Sequence, residues 1–174
     1  MFHSLLVSVL SMHLAAAAPA PPVLRAPVYG GPVGLVDSVV IEKKARHLML
    51  FRDGKVVRTY LVALGAHPEG DKLRKGDHRT PEGVFYIDSR QPNSHYHLAL
   101  HISYPDASHR ERSRAVGAEP GGDIMIHGLP NGMGAAGALH RLHDWTNGCV
   151  ALTDEEIEEI WSVVPIGTPV EIKP

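Results

Sequence analysis

Apolar positions fall into short runs separated by turn-forming residues. From residue 36 onward they are Val39-Val40-Ile41, Leu48-Met49-Leu50-Phe51, the stretch 56–64, Val84-Phe85-Tyr86-Ile87, the stretch 98–102, Ile124-Met125-Ile126 and Val170-Glu171-Ile172. Runs of this length, rich in β-branched and aromatic residues and bounded by Gly, Pro, Asn or Asp, predict strands. Arg52-Asp53-Gly54-Lys55 separates the second run from the third. Asp-Gly tolerates the positive φ angles of a tight hairpin turn, so these two strands are predicted to pair antiparallel.

Two segments carry helical signals instead. Asp106 can cap a polar stretch from Ala107 to about Val116 that Gly117 terminates, and the few apolar residues on it predict a surface helix. Thr153-Asp154-Glu155-Glu156 has the form of a capping box. Ile157, Ile160, Trp161 and Val164 follow it at helical spacing before Pro165, and all are read as core. The prediction is a mostly β domain with few short helices and no internal repeats.

Ahead of this domain the pattern changes. Residues 1–18 hold an apolar run ending in Ala15-Ala16-Ala17-Ala18, the form of a signal peptide with a small-residue cleavage site, although the only basic group near its start is His3. The run falls short of the roughly 20 apolar residues of a membrane span. Residues 19–35 are rich in Pro, Ala and Gly without periodicity, which predicts a tether, and residues 36–174 remain as one domain. A hydrophobic share of 44% with 21% charged residues fits a folded globular chain. The net charge of -2 and the scattered Lys and Arg provide no basic stripe, so no nucleic-acid partner is expected.

The candidate chemistry begins with a single cysteine, Cys149. An exported chain with one cysteine cannot form an internal disulfide, so its thiol is either buried as a small apolar group or used. In Trp145-Thr146-Asn147-Gly148-Cys149-Val150 the turn-forming Asn-Gly pair enters a short apolar run and presents the thiol at a strand edge. A thiol needs a neighbouring base or positive charge to become nucleophilic. Among 12 histidines, His127 ends the run 123–126 and precedes Gly128 and a long loop, so its ring can face a cleft from a rigid strand end. His95, His97 and His101 share one parity, and His140 and His143 have ligand-like spacing, but neither set has the cysteine or carboxylate partners of a zinc signature. No metal and no cofactor is therefore expected.

Ile126-His127-Gly128 with Thr146-Asn147-Gly148-Cys149-Val150 resembles the signature of the L,D-transpeptidase catalytic domain family, the YkuD-type fold. The resemblance extends through 60–65, Gly76-Asp77, Thr80-Pro81-Glu82-Gly83 and Ile102-Ser103-Tyr104-Pro105, covering about Asp37 to Ile172. It implies a β-sandwich-like domain with Cys149 as nucleophile, His127 as general base and acid, and a backbone carbonyl orienting the imidazole. Gly148, Asn147, Thr146 and Gly128 would support the site, the backbone N–H groups of Gly148 and Cys149 serving as oxyanion donors. Arg79, beside the Thr80–Gly83 loop, is a candidate for a substrate carboxylate, ahead of Arg90, Arg110, Arg112 and Arg114. Two positions depart from the family pattern: Asn147 stands where a histidine is usual, and Ala151 where an arginine is common. The Trp-Thr-x-Gly-Cys form resembles a Gram-negative branch, some of whose members cut peptide attachments on peptidoglycan.

The implied partners are peptidoglycan stem peptides, with peptidoglycan-attached lipoprotein as a further substrate, in the periplasm, and a monomer is expected. The implied reaction is transpeptidation through a Cys149 thioester. A cysteine hydrolase of the same fold that trims stems or releases lipoprotein is the alternative, and an inactive wall-binding module the third reading.

Overall fold

A computed structural model describes residues 33–174. The signal-peptide prediction, 1–18, and all of the tether prediction before residue 33 lie outside the described residues. The elements run β1 (Ser38–Glu42), β2 (His47–Arg52), β3 (Lys55–Leu61), β4 (Gly83–Ser94), β5 (His97–Ile102), α1 (Ala107–Ala115), β6 (Met125–His127), a 3-10 segment (Gly134–Leu142), β7 (Val150–Ala151), α2 (Asp154–Val163) and β8 (Pro169–Lys173). Each of the predicted apolar runs falls wholly or in part on a strand, with 62–64 lying past the end of β3 and Ile124 just before β6. The hairpin turn forms as predicted, with φ of 52° at Asp53 and 69° at Gly54.

The strands make one sheet in the order β3-β2-β1-β8-β4-β5-β6-β7. Its bend lies in β4, whose first residues, 83–86, pair with β8 while positions from Ile87 to Ser94 pair with β5 across two register shifts. The far edges then meet again. Ala63, just past β3, and Ala151 in β7 form an antiparallel bridge with hydrogen bonds in both directions, of 3.0 and 2.8 Å. The sheet therefore folds over itself in a sandwich-like arrangement, and one cluster takes Ile41, Leu50 and Tyr60 from one half and Leu100, Ile126 and Val150 from the other. Each such buried side chain contributes roughly 1.5–3 kcal/mol relative to exposure.

The helices use their polar residues differently. α2 carries the predicted capping box: Thr153 Oγ1 accepts from Glu156 N, and Glu156 Oε2 accepts from Thr153 N and from Arg141 of the 3-10 segment. Ile157 and Ile160 are fully buried, placing the start of α2 against the core. α1 is capped by Asp106, as expected, but the residues it buries are His109 and Ser113 rather than apolar ones. Ser113 donates to the Leu73 carbonyl (2.7 Å) and the His109 ring packs on Phe85 and Tyr104, so this helix is docked by polar contacts.

Candidate active site

The imidazole is built from the sheet outward. β6 ends at His127, which is 3% exposed, and the chain turns immediately at Gly128. The Gly128 N–H is shared between the Tyr96 and Leu98 carbonyls (3.1 and 3.2 Å), while its own carbonyl faces His127 Nδ1 at 2.7 Å. A Cβ at Gly128 would stand 2.8 Å from Asp154 Oδ1, so only glycine fits this approach. That same carboxylate oxygen accepts from Leu129 N at 2.8 Å, tying the loop to the first turn of α2.

This anchoring fixes the tautomer. A carbonyl can only accept, so Nδ1 carries the proton and Nε2 presents its lone pair. Burial pushes the His127 pKa down to about 4, against the opposing effect of the Gly128 carbonyl, which keeps the ring neutral at physiological pH. Tyr96 and Trp145 wall it in, with ring centroids at 4.5 and 5.9 Å.

The thiol is placed by the loop before β7. Thr146, 4% exposed, donates through Oγ1 to the Cys149 carbonyl (2.8 Å) and accepts from Gly148 N (3.0 Å). Its own backbone bonds Leu64 and Ala66, so the loop is pinned to the strand edge. Gly148 adopts φ of 129°, and a Cβ there would sit 2.6 Å from the Arg79 carbonyl oxygen. With its N–H donated to Thr146, Gly148 serves by conformation in this arrangement.

In the parallel β6–β7 pair Ile126 faces Val150 and His127 faces Ala151. Continuing that register by one residue past the end of β7 would set Cys149 beside Met125, whose amide the thiol meets, two residues from His127. Strand spacing and rise would put the Cα atoms of Cys149 and His127 roughly 8 Å apart, and no hydrogen bond joins the two side chains among the described residues. In the resting arrangement the thiol donates to the Asp123 carbonyl (Sγ···O 3.5 Å). Burial raises the Cys149 pKa above its ordinary value, against smaller opposing effects of the Met125 amide and the Lys72 ammonium. Thiol and imidazole are thus both held neutral. This favours proton transfer at the moment of attack over a preformed ion pair.

Beside the thiol opens a cleft of about 870 Å³, bounded by Asp123 and Asn147 and lined by Lys72, Lys75, His78, Arg110, Arg114 and Glu119 among others. Asn147 is exposed, and its Oδ1 accepts from His78 Nδ1 at 2.9 Å. Arg79 is not part of this lining: its guanidinium donates to the Asp71 carbonyl (3.3 Å). Arg110 and Arg114, ranked behind Arg79 on sequence, front the cleft. Lys72 is 3% exposed and holds Asp77 at 2.7 Å. The Asp77 carboxyl, although partly buried, is held down at about 2 by that ammonium and by the amides of Arg74, Leu73 and Arg79.

Other residues near the motif have structural partners. Asp144 binds Arg46 and the Leu64 amide, each at 2.8 Å, and His140 accepts from Trp145 Nε1 at 3.4 Å, so neither orients His127. His97 pairs with Glu158 and His101 with Asp88, and Arg90 lies 4.1 Å above the Trp161 ring. Among the described residues no three of His, Cys, Asp or Glu are grouped as a metal requires. Sequence reasoning missed Tyr96 as a wall of the site, and missed Lys72 and Lys75. Proximity to Gly76-Asp77 was the one available signal for the lysines.

Residues 37–172 match the family described as the L,D-transpeptidase catalytic domain, YkuD. An Escherichia coli relative named "Putative L,D-transpeptidase YafK" is 35% identical over 98 residues, spanning 55% of this chain and 32% of its own length. "Putative L,D-transpeptidase YqjB" of Bacillus subtilis is 27% identical over 135 residues, spanning 77% and 69%. Among solved structures, the helical cell shape determining protein Pgp2 from Campylobacter jejuni superposes with a TM-score of 0.58 at 25% identity, covering 82% of this chain and 51% of that one. An L,D-transpeptidase from Xylanimonas cellulosilytica shares the fold with a TM-score of 0.52 at 17% identity, covering 80% and 61%. The chain thus spans about a third of the length of YafK and half that of Pgp2.

Proposed function

Since the chain belongs to the L,D-transpeptidase catalytic domain family, we propose that it is an exported peptidoglycan acyltransferase working through a Cys149 thioester. The observation that carries this reading is the His127 imidazole, buried, neutral and locked by the Gly128 carbonyl with Nε2 available, at the end of the strand that pairs in parallel with β7, which Cys149 immediately precedes. Nε2 takes the Cys149 proton as sulfur attacks the carbonyl at the L-centre of the diamino acid in a stem peptide. The tetrahedral adduct collapses, the C–N bond to the terminal residue breaks, and the departing amine receives the proton from Nε2. An amine of a second stem then attacks the thioester, giving a cross-link and restoring the thiol.

If water replaces that amine, the same residues release a shortened stem. The Campylobacter neighbour is a helical cell shape determining protein, which supports wall remodelling as the biological setting for either product. The test is mass spectrometry of purified disaccharide-tetrapeptides incubated with the mature protein beside a Cys149→Ala control. Cross-linked dimers lacking one terminal D-alanine are expected. Shortened monomers alone would reassign the protein as a hydrolase. No product from tetrapeptides or from peptidoglycan bearing attached lipoprotein would overturn the enzymatic reading in favour of a wall-binding module.

A further inference from the structure

The cleft beside Cys149 carries charge that the fold does not use. Lys72 is paired with Asp77, and Arg112 of α1 with Asp71 (2.5 Å), yet among the described residues Lys75, Arg110 and Arg114 make no ion pair. Arg110 and Arg114 are one helical turn apart, where like charges repel, and both are exposed at the cleft. The arginine of α1 directed at the loop before β4 is thus neutralised by Asp71, while the two at the cleft have no carboxylate partner, Arg114 Nε donating only to the Arg110 carbonyl at 3.3 Å. Glu119 and Asp123 line the same cavity, so its wall is of mixed sign. A polyanion would be opposed by these carboxylates, whereas a peptide bearing both free carboxylates and a free ammonium group matches them.

The position fixes what such a ligand would do. Cys149 and His127 do not line the cleft. Asn147, however, lies two residues before the thiol and the Asp123 carbonyl accepts the thiol's hydrogen bond, so one end of the cleft adjoins the sulfur and a peptide reaching the thiol can extend into it. We propose that Arg110 and Arg114 are specificity-determining residues that bind a free carboxylate of the stem peptide and discriminate against its amide. The inference rests on the functional reading above. Guanidinium–carboxylate hydrogen bonds are charge-assisted, and the neutral amide replaces one accepting oxygen with a donor that meets only donors.

The experiment uses two stem peptides differing only in amidation of one carboxylate. Calorimetric binding to Cys149→Ala protein is compared with binding to the same protein carrying Arg110→Gln and Arg114→Gln, with Arg112→Gln as the control on the same helix. The free acid is expected to bind at least about tenfold tighter than the amide, and the double substitution to erase that preference while the control retains it. In protein with Cys149 intact, the double substitution should raise KM for the free acid and leave kcat unchanged. Equal binding of acid and amide, or a preference that survives the double substitution, overturns the inference. Stem turnover without any preference removes this inference alone, whereas absence of turnover removes the functional reading and leaves the binding comparison as an independent measure of the cleft.

Discussion

Substitution of Gly148 by alanine tests whether the thiol loop is held by close backbone contact. The φ of 129° lies where L residues are strained, at a cost of about 1–3 kcal/mol. The new Cβ would also meet the Arg79 carbonyl oxygen at 2.6 Å and Ile124 Cδ1 at 3.1 Å, well inside ordinary contact. Relieving such crowding costs about 1–3 kcal/mol more, because the obstacle is backbone and cannot swing away. A combined loss of roughly 2–6 kcal/mol would lower the melting temperature of a chain this size by about 4–24 °C. Gly132→Ala supplies the internal reference, since that glycine has φ of 87° but nothing within 4 Å of a built Cβ. Scanning calorimetry and stem turnover are measured for both variants. Gly148→Ala should be the less stable of the two and should lose activity, while Gly132→Ala keeps it. Equal stability of the two variants with activity retained would refute the close contact.

Acid stability and the first turn of α2 give two further measurements. His127 has its pKa lowered from 6.5 to about 4, so the unfolded chain binds a proton that the folded chain refuses, and stability is full above pH 6.5 and lost as pH falls toward 4. The loss is on the order of 3 kcal/mol, and urea midpoints at pH 7.5 and 4.5 should differ less in a His127→Gln variant than in the parent; equal differences would contradict the buried neutral ring. Asp154→Ala leaves the Leu129 amide without its 2.8 Å acceptor and frees the turn whose Gly128 carbonyl aims the imidazole. A destabilisation of about 1–3 kcal/mol is expected, with a fall in kcat larger than the change in KM; unchanged kcat would show that Asp154 does not position the ring.

The sheet was legible because burial alternates along its strands. β1 has every second side chain buried, and the Asp-Gly turn sets its own hairpin. β7 was not legible as a strand, since two residues give no period. The outer part of β4 was hidden because its residues are polar, and Arg90 there is held by the Trp161 ring and carbonyl rather than by apolar burial. Within the site, Cys149 and His127 could be singled out because each sits at a junction of apolar run and turn. The cleft could not, because its cations come from the loop at 72–75 and from α1, brought together only by tertiary contacts such as Lys75 N to the Glu119 carbonyl at 2.7 Å. For the same reason the place of Arg79 beside the Thr80–Gly83 loop says nothing about which way its guanidinium turns, which is toward the Asp71 carbonyl.

The two departures from the family pattern fall at positions that do not set the thiol or the imidazole. Cys149 is positioned by Thr146, whose backbone bonds Leu64 and Ala66 and whose hydroxyl closes the turn, and His127 by the Gly128 carbonyl. Asn147 points out of this framework to His78 on the cleft wall. Ala151 is fully buried in register with His127 and bonded in both directions to Ala63, where a small side chain lets the strands close. Replacing a histidine-type residue at 147 therefore alters what a ligand in the cleft meets. A small residue at 151 completes the seam that brings β7 against the end of β3. The proposed reacting pair rests on backbone geometry, so on that reading variation in substrate choice is expected to map to 147 and to the cations of the cleft rather than to Cys149 and His127.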